Sequence, residues 1–165
     1  MKQHRGRFYG LFFYEVQMKI PRLGSKFKVT IQDAIFTVVP LTYEKKAEMG
    51  NFTKIVAGRE IVDTQKVSHF LIKHSIKSLE GVTDLDGEKY ELEFDGDCLT
   101  DNCASEIGQM LIASEIQLAC MAVSGGHYDK VINPINGETL DGIKVEYIKK
   151  KKEDKAVGAE PIEGK

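Results

Sequence analysis

Tryptophan is absent from this 165-residue chain, proline occurs four times and cysteine three times. Cys98, Cys103 and Cys120 are too few for a disulfide scaffold, and an odd count would leave one unpaired outside the cell. A reducing compartment is therefore expected. No apolar run approaches the roughly 18 consecutive residues of a membrane helix, so neither a span nor a membrane partner is expected. A secretory leader is not read either. Glu15 and Gln17 interrupt the apolar stretch Phe8–Tyr14, and no small-residue cleavage site follows. Charge of one sign is also missing: the net of −2 gives bulk electrostatics no preferred partner.

What remains is the mixture of an ordinary globular chain, 42% apolar and 29% charged. At this length a chain buries roughly 70% of its unfolded surface, enough for one core without staples. The charge is unevenly spread. Residues 1–28 carry seven basic groups against Glu15, while residues 77–106 carry ten carboxylates against Lys77 and Lys89. Such asymmetry suits oriented association with a charged partner, or simply a solvated acidic face. Met18 opens a cleaner segment, which makes residues 1–17 a flexible or non-native extension. Residues 18–148 form the expected single α+β domain. Residues 149–165, starting Lys149–Lys152, lack apolar periodicity and form an expected disordered tail.

Within the domain, Phe27–Ile31 alternates apolar and polar residues, as a half-buried strand does. Ile35–Val39 reads as its returning strand, ended by Pro40. Thr42 is placed to cap a helix over Tyr43–Met49 that stops at Gly50. The β-branched residues and Gly58 between Phe52 and Ile61 suggest a loose hairpin. Asp63 and Thr64 open a second helix whose Val67, Phe70, Leu71 and His74 share one face. A strand from Ile76 leads into Asp84-Leu85-Asp86-Gly87, read as a type I′ turn, with Lys89–Phe94 as the return strand. A long helix is expected from Thr100 or Asp101 to Ser124-Gly125-Gly126. Its stripe Ile107, Met110, Leu111, Leu118 and Met121 is the expected partner-binding face, widened by Ile112, Ile116 and Ala119. Val131–Ile135 and Gly142–Ile148 read as two short strands around Asn136-Gly137. The expected architecture is thus antiparallel β-hairpins packed with two main helices.

Chemistry-bearing motifs are sparse. Registering Gly87 at the sixth position of a calcium loop puts Asp84, Asp86 and Glu93 at ligand positions but Val82 at the first, which has no oxygen to offer. A hairpin explains the same residues without metal. Cys98 and Cys103 have a zinc-like gap, but no second pair completes four ligands. His69 and His74 lie five apart on a helix and face different ways. Ser124 and His127 flank a Gly-Gly break without a nucleophile elbow, and no phosphate loop is present. No catalytic residue, metal or cofactor is expected. A nucleic-acid role draws on Arg5, Arg7, Lys19 and Arg22 interleaved with Phe8, Tyr9, Phe12, Phe13 and Tyr14, and on Lys149–Lys152. The pI near 6.1 and the acidic centre argue against it.

The order Val38-Val39-Pro40-Leu41-Thr42, short charged helix, helix from Thr64, then Ile76-Lys77-Ser78-Leu79-Glu80-Gly81-Val82-Thr83-Asp84-Leu85-Asp86-Gly87 resembles the tail assembly chaperones of long-tailed bacteriophages. The resemblance covers about residues 27–123. Leu79 stands where that family often has an aromatic, and one helix follows the hairpin where several are usual. The resemblance implies non-covalent binding of the apolar tape-measure protein in the host bacterial cytoplasm, with no catalytic residues to carry over. It also implies a C-terminus that a ribosomal frameshift can extend. Adaptable methionines such as Met110 and Met121 suit such holding, and a homo-oligomer is compatible with it. A structural protein of the virion, in the tail or head–tail region, and a nucleic-acid-binding accessory protein are the two alternatives.

Overall fold

The computed structural model describes residues 19–150. The expectations for residues 1–17 and for most of the tail lie outside that range. Apolar alternation makes strand β1 (Lys26–Ile31) and β2 (Ala34–Val38), paired through a two-residue turn in which Gln32 takes φ +52. Phe27, Val29 and Ile31 point inward beside Phe36 and Val38, all buried. Thr42 caps α1 (Tyr43–Met49) by accepting from the Lys45 amide. A hairpin follows, β3 (Thr53–Val56) and β4 (Arg59–Val62). Ala57 and Gly58 both have positive φ, the signature of a type I′ turn. Asp63 then caps α2 (Thr64–Ser75), which runs directly into β5 (Ile76–Glu80).

The four-stranded antiparallel sheet has the order β5-β2-β1-β8, its last strand β8 (Ile143–Ile148) returning from the far end of the chain. A register shift where β2 meets β5 leaves Lys77 unpaired, so that Ile76 and Leu79 both turn into the core. One sheet face is thus apolar, and it packs beneath Phe70, Leu71 and Ile72 of α2 together with residues of the next two helices. This α+β arrangement agrees with the class expected from the sequence. Three local expectations are corrected.

First, the turn at Asp84–Gly87 forms, but not as type I′: only Gly87 has positive φ. Asp84 and Glu88 close a three-residue loop, and the ladder stops after a bridge between Thr83 and Lys89 and a bond from Tyr90 to Val82. β5 pairs with β2 instead of with residues 89–94. Phe94 belongs to a two-residue strand, β6 (Phe94–Asp95), paired with β7 (Cys98–Leu99). Tyr90 draws the intervening segment away, because its hydroxyl donates to Glu106 in the following helix.

Second, the long helix is two: α3 (Asp101–Gly108) and α4 (Ala113–Ser124), bent by 115°. An unbroken helix over 101–124 would run about 36 Å, well beyond strands of about 20 Å. Bending at Gly108–Ile112 lets Ile107, Ile112 and Ile116 all enter one core. Third, residues 131–135 contribute one bridge, Ile132 to Thr139, and no strand. The remote strand β1 takes β8 as its partner in their place.

Candidate functional site

Two surfaces stand out once the core is assigned, and neither coincides with the expected helical stripe. The first is an excursion. From Thr42 to His69 no residue is fully buried, and the β3–β4 hairpin rises from it with aliphatic side chains on both faces. Register places Ile55 and Val62 on one face and Val56 and Ile61 on the other. Ile55 is 78% exposed and Val62 59%. The arm is footed by Phe52, whose ring meets Phe70 edge-on at 5.1 Å, and by the Asp63 amide bonded to the Phe52 carbonyl. Thr53 donates to Glu60 across the strands at 2.6 Å. A two-stranded ribbon is marginal alone in water, and here it presents apolar surface with no covering layer among the described residues.

The second surface is a cleft of about 990 Å³ between the lead-in Pro21–Lys26, the Val39–Thr42 connector, α1 and the β6–β7 turn. Arg22, Lys26, Lys45, Lys46 and Lys77 line it against the single carboxylate of Asp97. Lys45 is engaged by Glu48 at 3.1 Å, and the Lys77 ammonium donates to the Asp97 carbonyl. The exposed rings of Tyr43 and Phe94 flank the cations.

His74 reports on this field. Burial, then the positive charges of Lys45, Lys73 and Lys77, hold its imidazole below the usual range. Folding therefore lowers its proton affinity, so protonation favours the unfolded chain. Stability should be full above the ordinary imidazole value near 6.5 and decline as pH drops below it. Thermal unfolding at pH 7.5 and pH 5.5 checks this: the fall should be smaller in His74→Phe than in the parent.

A second hollow holds a close cluster of titratable groups. Asp101, at the start of α3, accepts from Lys73 at 2.8 Å and lies 3.0 Å from His69. Those hydrogen bonds and the ammonium charge hold its carboxyl down at about 2. No serine, threonine or cysteine lines that hollow, and the bonds of Asp101 to His69 and Lys73 tie α3 to α2.

The remaining sequence candidates are placed apart. Ser124 is buried and accepts the Leu41 amide at 3.0 Å, 83 residues away, while Gly125-Gly126-His127 closes α4 with a Schellman motif. Asp84 spends one carboxylate oxygen on the amides of Asp86 and Glu88, both at 2.9 Å. Cys103 and Cys120 are buried, and burial pushes the Cys120 thiol up to about 12. Cys98, half-buried, donates to the Asp95 carbonyl. Among the described residues no three His, Cys, Asp or Glu side chains are grouped to hold a metal ion.

The bend also divides the expected partner-binding residues. Ile107 is core at 1% exposed, Met110 and Leu118 pack partly against the core, and only Leu111, at 96%, and Met121 face out. The hairpin arm is not singled out as a surface by the sequence reading, although its signal is present: aliphatic residues at both even and odd positions of a short hairpin cannot all face one core. Among the described residues no single helix is long and apolar enough to cross a membrane. No family model, curated protein or solved structure matches this chain.

Proposed function

We propose that this chain is a non-enzymatic holding protein of the phage tail assembly chaperone type, binding an apolar segment of the tape-measure protein in the host cytoplasm. The observation that carries the reading is the excursion without a fully buried residue and its bare aliphatic hairpin. Surface of that kind costs solubility unless a partner covers it, and it offers adhesion without a bond-making pocket. Removing a pair of exposed anchors from one face should therefore cost binding and leave folding alone.

Co-expression with the tape-measure protein and affinity capture test this. The variant Ile55→Asp/Val62→Asp should retain at least tenfold less client, since each anchor contributes about 1–2 kcal/mol when covered. Its melting temperature should stay close to the parent's. Equal retention by parent and variant would end the reading. A permanent virion subunit is separated by mass spectrometry of purified particles, where a chaperone is absent and a structural protein stoichiometric.

The basic cleft favours a second reading, nucleic-acid binding, because cations flanked by rings are the chemistry of single-strand grooves. Under it, Lys26→Glu/Lys46→Glu should weaken retention on single-stranded DNA and flatten its salt dependence by about two charges. Retention indifferent to salt would remove this alternative.

A further inference from the structure

Strand β8 closes one side of the sheet. It pairs with β1 and forms the edge of the order β5-β2-β1-β8. Among the described residues its one other backbone hydrogen bond runs from the Ile143 amide to Leu140. Half of its backbone groups therefore face outward along six extended residues, the template that sheet edges offer to another strand. Ile143 and Val145 point into the core and Tyr147 follows them, half-exposed, on the same face. Lys144 and Glu146 point to the opposite face, 3.1 Å apart. Across β1 these two stand opposite Thr30 and Lys28.

This edge is self-complementary in one register. We propose that a second copy of the chain pairs its β8 antiparallel to the first, with Val145 on the two-fold axis. The pairing joins two four-stranded sheets into one of eight, with both cores on the same side. Lys144 then faces Glu146 of the second copy, and Glu146 faces its Lys144. Ile143 meets Tyr147 of the second copy, an aromatic on a β-branched neighbour. Along the polar face the charges alternate: Lys28, Glu146, then Lys144 of the second copy. Centring the axis on Lys144 or on Glu146 instead sets like charges against each other. Centring it between residues sets Val145 against Lys144, so outward backbone groups of one copy meet residues whose groups already bond β1, and no ladder forms.

The occupant is thus another copy of this chain, joined by isologous β-augmentation, and the proposal stands apart from client binding at the hairpin. Two six-residue strands bury less than the 1,200–2,000 Å² typical of stable complexes, so the dimer is weak and reversible, with a dissociation constant of about micromolar or above.

Sedimentation velocity of the full chain from about 1 to about 500 µM should show a monomer passing to a dimer. Lys144→Glu alone and Glu146→Lys alone should each weaken the dimer by about tenfold or more, because two symmetry-related pairs turn repulsive. The double swap Lys144→Glu/Glu146→Lys should restore it. An equimolar mixture of the two single variants should form a heterodimer, since the paired carboxylates of one copy then meet the paired ammonium groups of the other. Circular dichroism melts confirm that each variant folds; should a single variant fail to fold, the double swap carries the comparison. A monomer at every concentration overturns the proposal, as it would if another segment of the same chain occupied the edge. A dimer insensitive to both single changes, or single variants that fail to associate when mixed, overturns it equally.

Discussion

Gly81→Ala should lower the melting temperature by about 10 °C or more, the largest effect expected of any single-methyl addition to this fold. Gly81 follows β5 with φ +77, and a Cβ built there would sit 2.2 Å from the Asp33 carbonyl oxygen and 3.2 Å from its carbon. Both atoms are backbone, in the β1–β2 turn. The clash arises from register: Ile35 pairs with Glu80, so the residue after Glu80 passes directly under the turn that precedes Ile35. Relief requires the turn to lift, and the turn is already held by Gln32 in the left-handed region. Overpacking of this kind costs about 1–3 kcal/mol, and a left-handed alanine adds about 1–2 kcal/mol.

Gly87 supplies the comparison. It has φ +82, yet nothing lies within 4 Å of a Cβ built on it. Gly87→Ala should cost only the conformational part, about 1 kcal/mol. Equal melting temperatures for the two variants would show that β5 does not run beside the Asp33 turn. The close approach at Gly81 is invisible in the sequence: Gly87 is marked by its Asp-Gly turn, while Gly81 only follows an alternating stretch. Local chemistry announces a positive φ; a close approach depends on which strand lies alongside.

The same division governs what could be read beforehand. β1, β2, α1 and α2 were legible because alternation, the caps Thr42 and Asp63, and the stop at Gly50 act over a few residues. The partners of those elements were not. β8 joins β1 across more than 110 residues, and its period-2 pattern carries no information about which edge it will find. The segment after Gly87 alternates cleanly as well, but Tyr90 gains more by packing on α3, where burial and its bonds to Cys103 and Glu106 hold its hydroxyl protonated. Surface identity was the least legible feature. Aliphatic residues in the β3–β4 hairpin and in the Ile107–Met121 region look alike by composition, and only the packed core tells which are covered.

Ile107 and Leu111 show that division within one stripe. A continuous helix would set Ile107 and Leu111 side by side, one turn apart, with equal exposure. The bend at Gly108–Ile112 separates them instead: Ile107 is sealed in the buried cluster that also holds Leu71, Ile72 and Ile116, while Leu111 caps the corner in solvent. Ile107→Ala removes a branched side chain from a closed site and should cost about 2–5 kcal/mol, depending on how far α3 collapses. With a urea slope of about 1–3 kcal/mol/M for a chain of this size, the midpoint should fall by about 1–2 M. Leu111→Ala touches nothing that folding covers and should stay within about 0.5 kcal/mol of the parent. Client capture separates the roles further. Under the proposed holding role, a corner that also adheres to the client would make Leu111→Ala weaken capture at unchanged stability. Ile107→Ala reduces capture only as far as it unfolds the chain, so the deficit should vanish at a lower temperature. Two variants with matching urea midpoints would mean that α3 and α4 form one helix in solution, and the partition of this stripe between core and surface would have to be redrawn.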